Sequence, residues 1–192
     1  MIDTTVISGV PGVGASEVCR LARQRLGEAY KLLNFGDVML EEAIAQGLVS
    51  ERADLGTLSR QEIHRLQRRA GEFIASTARR NAVLVDTHFA VATAHGFLPG
   101  LRAEVLGDIE PTRLVLVEAD AETIAGRRGT VDYREYRERG VRAIDLHQDL
   151  HRAAAMHHAI EAGCPVRLVE NETTPDEAAK TLARIVTEGD PR

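Results

Sequence analysis

The chain has 192 residues, of which 44% are hydrophobic and 28% charged, with a formal net charge of -5. That length suits one domain with a substantial core, and no apolar run approaches the ~18 to 20 residues that a membrane-spanning helix needs. The acidic balance argues against a surface built to coat nucleic acid, and an aromatic content of 4% leaves little for stacking single-stranded bases.

Met1 to Val6 contains no basic region followed by an apolar stretch, so no export signal is read and a cytoplasmic location is expected. From Thr4 to Ser8 the chain is short and β-branched, and Gly9-Val10-Pro11-Gly12-Val13-Gly14 follows at once: a buried strand entering a tight loop. Val18, Leu21, Ala22 and Leu26 then recur at helical spacing up to Gly27. Cys19 on this helix and Cys164 near the end lack metal-type spacing and read as reduced, partly buried residues. Tyr30 to Phe35 reads as a second strand ended by Gly36, with a helix from Asp37 to about Gln46 behind it. Ser59-Arg60-Gln61-Glu62 is a capping-box pattern that opens a long helix, whose apolar face is Ile63, Leu66, Ala70, Phe73, Ile74 and Thr77.

Three further buried strands follow, at Ala82 to Asp86, Leu114 to Glu118 and Val166 to Glu170. Between the last two, Gly129 to Gly140 is crowded with charge and reads as a solvated flap. Thr174-Pro175-Asp176-Glu177 opens the final helix with a second capping box and proline at the favoured first position. Short strands apolar on both faces, alternating with helices, predict an α/β fold: a doubly wound parallel sheet of about five strands with helices on both sides.

Gly9 to Ser16 nearly supplies a phosphate loop, which has a glycine, four residues, a glycine, then lysine and a hydroxyl residue, set between strand and helix. Converging backbone N–H groups and the helix amino end favour a phosphate, and Ser16 is suited to ligating magnesium. Position 15 is alanine instead of lysine. A dinucleotide loop fits less well, because Glu17 takes the place of its third glycine and would repel a pyrophosphate. His147 and His151, four apart, share a helix face as paired metal ligands would, but no third ligand stands near in sequence.

The loop, together with Asn34-Phe35-Gly36-Asp37-Val38-Met39, Val85-Asp86-Thr87-His88, Gly96-Phe97-Leu98-Pro99-Gly100-Leu101 and His147-Gln148 followed by Arg152-Ala153-Ala154-Ala155-Met156, resembles the archaeal type of adenylate kinase over nearly the whole chain. The resemblance implies a P-loop kinase fold, interconversion of ATP plus AMP with two ADP, use of Mg²⁺ and assembly as a homo-oligomer, by resemblance a trimer. It implies that Gly9, Val10, Pro11, Gly12, Val13, Gly14, Ala15 and Ser16 hold the ATP phosphates, with Ser16 and Asp86 serving magnesium, Asp86 through water. Arg127, Arg128, Arg134 and Arg152 are the candidate catalytic cations. Residues 37–66 are expected to form an acceptor-binding segment and 129–140 a lid. Basic residues that the resemblance also implies are replaced here by Gly56, Ala92 and Tyr136. Plainer readings stand beside these: a turn residue for Asp86, and a solvated helix face for any one arginine. A catalytically weakened nucleotide-binding protein of the same fold, or a kinase for a different small acceptor, is the alternative function.

Overall fold

The computed structural model describes residues 3–93, 95–129 and 140–188. Its main sheet has five parallel strands, β1 (Thr4–Gly9), β2 (Tyr30–Asn34), β3 (Ala82–Thr87), β6 (Arg113–Glu118) and β7 (Val166–Glu170), in the order β2-β3-β1-β6-β7. A short antiparallel hairpin, β4 (Ala90–Thr93) and β5 (Gly96–Pro99), leaves the end of β3. The helices are α1 (Ala15–Leu26), α2 (Phe35–Ala45), α3 (Arg60–Ala78), α4 (Ala103–Ile109), α5 (Ala121–Gly129), α6 (Val141–Ala162) and α7 (Pro175–Thr187). A 3-10 segment, Arg52–Thr57, joins α2 to α3.

The strands are apolar on both faces because both faces are covered. Val6, Val83, Val85, Leu114 and Leu116 pack on one side with Phe35, Leu66, Ile74, Val105 and Ala155 from α2, α3, α4 and α6. Their neighbours Ile7, Leu84, Val115 and Val117 pack on the other with Val18 and Ala22 of α1, Ile124 of α5 and Leu182 of α7. Period-two alternation thus divides each strand between two cores. β1 is central, and the strand order reverses there, which is where open α/β sheets bind ligands beyond their strand carboxyl ends.

Four local expectations need correction. The second strand ends at Asn34, not Phe35, and Gly36 lies inside α2 rather than stopping a strand. The reason is Asn34, whose side chain accepts from the Asp37 backbone N–H at 3.0 Å and starts the helix early. Phe73 is 52% exposed; the buried face of α3 centres on Leu66, Ala70, Ile74 and Ala78, and Phe73 stands one residue, about 100°, round from Ile74. At α7 only half of the second capping box forms: Thr174 accepts from the Glu177 N–H, while the Glu177 carboxylate turns to Lys180. The hairpin, α4 and the 3-10 segment had no counterpart in the sequence reading. The charged stretch expected as a lid, with Arg134 and Tyr136, lies outside the described residues except for Gly129 and Gly140. Among the described residues no helix is long and apolar enough to cross a membrane.

Candidate functional site

The glycine-rich turn leaves β1 at the carboxyl edge of the sheet and enters α1. Gly12 and Gly14 have φ of 90° and 88°, a left-handed backbone that side chains disfavour. At Gly14 space is short as well: a Cβ there would stand 2.7 Å from Nδ2 of Asn171. The loop is braced from behind through its carbonyls. Val13 O accepts from Nδ2 of Asn171 at 2.8 Å and from Arg127 at 3.2 Å, and Pro11 O accepts from Nε of Arg128 at 2.7 Å. Arg127 also donates to Asn171 O at 2.7 Å, tying the loop to the chain just after β7. With those carbonyls held, the N–H groups of the same trans peptides, at Gly14 and Gly12, face away from the braces, as a phosphate cradle requires.

Ala15 opens α1 and is buried, so the position where a lysine stands in the usual pattern contributes packing instead of charge. Ser16 follows, and its hydroxyl donates to Oδ2 of Asp86 at 2.7 Å. The same carboxylate oxygen accepts from Nδ2 of Asn34 at 2.9 Å. The parallel register places Asn34 opposite Asp86, so their side chains emerge on one face at one end of the sheet. Asp86 is 4% exposed. A buried carboxylate beside a serine hydroxyl at the loop is an all-oxygen donor pair of the kind that suits a hydrated Mg²⁺ carried with phosphates. Burial first, and then the Asp86 charge, push the Cys19 thiol well up, so this residue of α1 serves as packing and not as a nucleophile.

On the far side of the loop His88 lies two residues beyond Asp86, with Nδ1 2.9 Å from Gly9 O. Ser8 Oγ accepts from the Phe89 N–H at 3.0 Å and lies 3.1 Å from Nδ1 of His151. Nε2 of His151 and Nε2 of His147 both donate to Ala90 O, at 2.9 and 3.0 Å. The two histidines share a face as their spacing implies, but what they hold is the base of the hairpin. Among the described residues no group of three or more His, Cys, Asp or Glu side chains is arranged to hold a metal. Burial, followed by the neighbouring His147 and His88, lowers His151 to about 3. The next residue, Arg152, makes a two-pronged pair with Glu118 at 2.8 and 2.9 Å and a third bond to Asp149. The Glu118 hydrogen bond is the chief cause raising its already high pKa.

Of the expected residues, the structure brings Gly9 to Ser16, Asp86, Arg127 and Arg128 together at one edge, and sets Arg152 at the end of β6 on Glu118. Asn34, Asn171 and Glu118 were not singled out from sequence. Asn171 and Glu118 stand at or just past strand ends, where an open sheet places its ligand groups, and that position was the available signal.

Residues 8–145 match the family described as AAA domain. The adenylate kinase of Pyrococcus abyssi is 38% identical over 188 residues, covering 97% of this chain and 96% of its own. That of Methanothermobacter thermautotrophicus is 40% identical over 187 residues, covering 97% and 100%. The chain belongs to the adenylate kinase family. Among solved structures, a shikimate kinase from Bacteroides thetaiotaomicron superimposes with a TM-score of 0.62 at 10% identity, over 96% of this chain and 98% of that one. A thymidylate kinase from Candida albicans gives 0.57 at 12% identity, over 97% and 92%. Both share the P-loop kinase fold with this chain.

Proposed function

We infer that the protein is an adenylate kinase that passes the γ-phosphoryl group of ATP to AMP, giving two ADP. The observation that carries the assignment is the joint formed by Ser16, Asp86 and Asn34: it connects the phosphate loop on the donor side to the first turn of α2 on the acceptor side.

In this reading the loop from Gly9 to Ser16 grips the ATP phosphates through those of its backbone N–H groups that are not bonded within the loop, with the amino end of α1 adding positive potential. Ser16 and Asp86 are the residues that would hold magnesium, Asp86 by way of water. Magnesium, when bound, neutralises phosphate charge and fixes the phosphates for in-line transfer. Transfer asks for positioning and positive charge more than for a base, which leaves His88 without a proton-transfer duty. Arg128 and Arg127 fix the loop through its carbonyls and bring two guanidinium charges to it, and Arg152 approaches from α6; Arg134, which lies outside the described residues, is the further cation that the family resemblance implies. Glu118 and Asp149 hold Arg152 before phosphates arrive, and phosphate oxygens then compete for the same donors. Residues 37–66 line the acceptor side. The loop thereby works without a lysine at position 15, its charge supplied by arginines from outside the loop.

The Asp86→Asn variant tests this. It retains one side-chain acceptor for Ser16 and Asn34 but loses the charge. ADP formation from ATP, AMP and Mg²⁺ should fall by at least about 10-fold, while ATP binding measured in EDTA stays near the wild-type value. Unchanged turnover in Asp86→Asn would remove Asp86 from the magnesium role.

A further inference from the structure

The acceptor side has a cation that neither the phosphate loop nor the arginines around it account for. Arg52, in the 3-10 segment after α2, folds back onto the first turn of that helix and forms an ion pair with Asp37. Its guanidinium lies against Gly36: a Cβ on that glycine would stand 2.9 Å from Nη1 of Arg52 and 3.3 Å from Oδ1 of Asn34. Any side chain at position 36 would push the guanidinium away. Asn34 in turn donates to Asp86, and Asp86 accepts from Ser16 of the loop. Arg52 is thus linked through Asp37 to Asn34, and Asn34 through Asp86 to Ser16, with a planar cation at one end of the series and the phosphate loop at the other.

The pairing of Arg52 differs from that of the other arginines in this region. Arg127 and Arg128 are bonded to backbone carbonyls of the loop, and Arg152 is gripped by two carboxylates. The Arg52 side chain is 46% exposed and that of Asp37 61%, and an ion pair so open to water contributes little and exchanges easily. Gly56, in the same 3-10 segment, carries no charge.

We propose that Arg52 holds the acceptor's phosphate: its guanidinium takes the monophosphate of AMP, and Asp37 is the counter-ion that the phosphate displaces. The assignment rests on the adenylate kinase reading. A fork of N–H donors suits a phosphate dianion, and the lack of a Cβ at Gly36 lets the guanidinium lie close to the series that leads to the loop.

The test is steady-state kinetics in both substrates, with direct calorimetric titration of AMP, on wild type, Arg52→Gln, Arg52→Lys and Asp37→Asn. Arg52→Gln should raise KM and Kd for AMP about 10-fold or more and leave KM for ATP within about twofold of wild type. Arg52→Lys, which keeps the charge without the fork, should fall between them, and Asp37→Asn should tighten AMP by removing the competitor. Arg52→Gln that leaves AMP binding unchanged, or that weakens ATP and AMP equally, overturns the proposal. So does Asp37→Asn weakening AMP as much as Arg52→Gln, because the pair would then be a structural brace. Wild type that makes no ADP overturns the activity and is recognised before any variant is compared; the AMP titrations still decide Arg52 in that case.

Discussion

Ser8, Ala90, His147 and His151 form a buried polar knot directly behind the phosphate loop. A carbonyl can only accept, so Nε2 of His151 carries the proton toward Ala90 O and Nδ1 accepts from the Ser8 hydroxyl. Both nitrogens of the neutral ring are therefore used. Protonation would reverse the Ser8 bond, since the hydroxyl can also accept, and would set a buried charge beside His147 and His88. An unfolded histidine titrates near ~6.5, whereas the folded His151 is held at about 3; between those values the unfolded chain binds a proton that the folded chain refuses. The contribution is complete above pH ~6.5 and is lost as pH falls toward His151's folded value, by up to about 1.4 kcal/mol per pH unit. His158, lowered chiefly by burial and then by His157, acts in the same direction. Urea unfolding at pH 7 and pH 5 should show lower stability at pH 5, and His151→Asn should reduce that difference. Equal stability at both pH values in the wild type would contradict the knot. At this scale the loop and Asp86 were legible because their signal is local, a glycine spacing and an acid at a strand end. Asn34, Asn171 and Glu118 were not: each acts through strands brought together by register from distant parts of the chain. Arg127 and Arg128 were marked as cations, but nothing in the sequence says that their hydrogen bonds run to Val13 O and Pro11 O.

The elements whose signals are strong and self-contained formed as the sequence implies. Ser59 accepts from the Glu62 N–H while the Glu62 carboxylate accepts from the Ser59 N–H, closing the capping box of α3. Ser59→Ala should therefore destabilise the protein by about 1 kcal/mol, read as a lower midpoint in chemical denaturation, with KM for ATP unaffected because α3 starts away from the loop. A midpoint equal to wild type would mean that the cap is redundant. β1, β3 and β6 read clearly as strands because they are buried on both faces. The β4–β5 hairpin did not, since Ala90–Thr93 and Gly96–Pro99 are four residues each and too short for an alternation to register. Its position depends on contacts outside itself: the two histidine bonds to Ala90 O and the bond from Gln67 Nε2 to Gly100 O at 3.2 Å. The beginning of α2 was misread for a related reason. Phe35 has strand propensity and follows a strand, but Asn34 caps the helix there and Phe35 is buried against the α2–α3 core.

Across the whole molecule, the strand order β2-β3-β1-β6-β7 sets the donor loop, the Asp86 strand end and the α2 turn side by side. An α/β sheet was predictable from the alternation of apolar runs and helical patterns; the pairing order was not, because it is settled by long-range packing. The same arrangement is the proposed basis for a transfer site with alanine at position 15. In the proposed reading the phosphate cradle is made by backbone, and its charge comes from α5 and α6. The most direct measurement is ADP formation from ATP, AMP and Mg²⁺ by the purified wild type beside Arg152→Ala. Steady turnover by the wild type, reduced by about 100-fold or more in Arg152→Ala, is the expected result. A wild type that binds ATP yet forms no ADP from AMP would contradict the account.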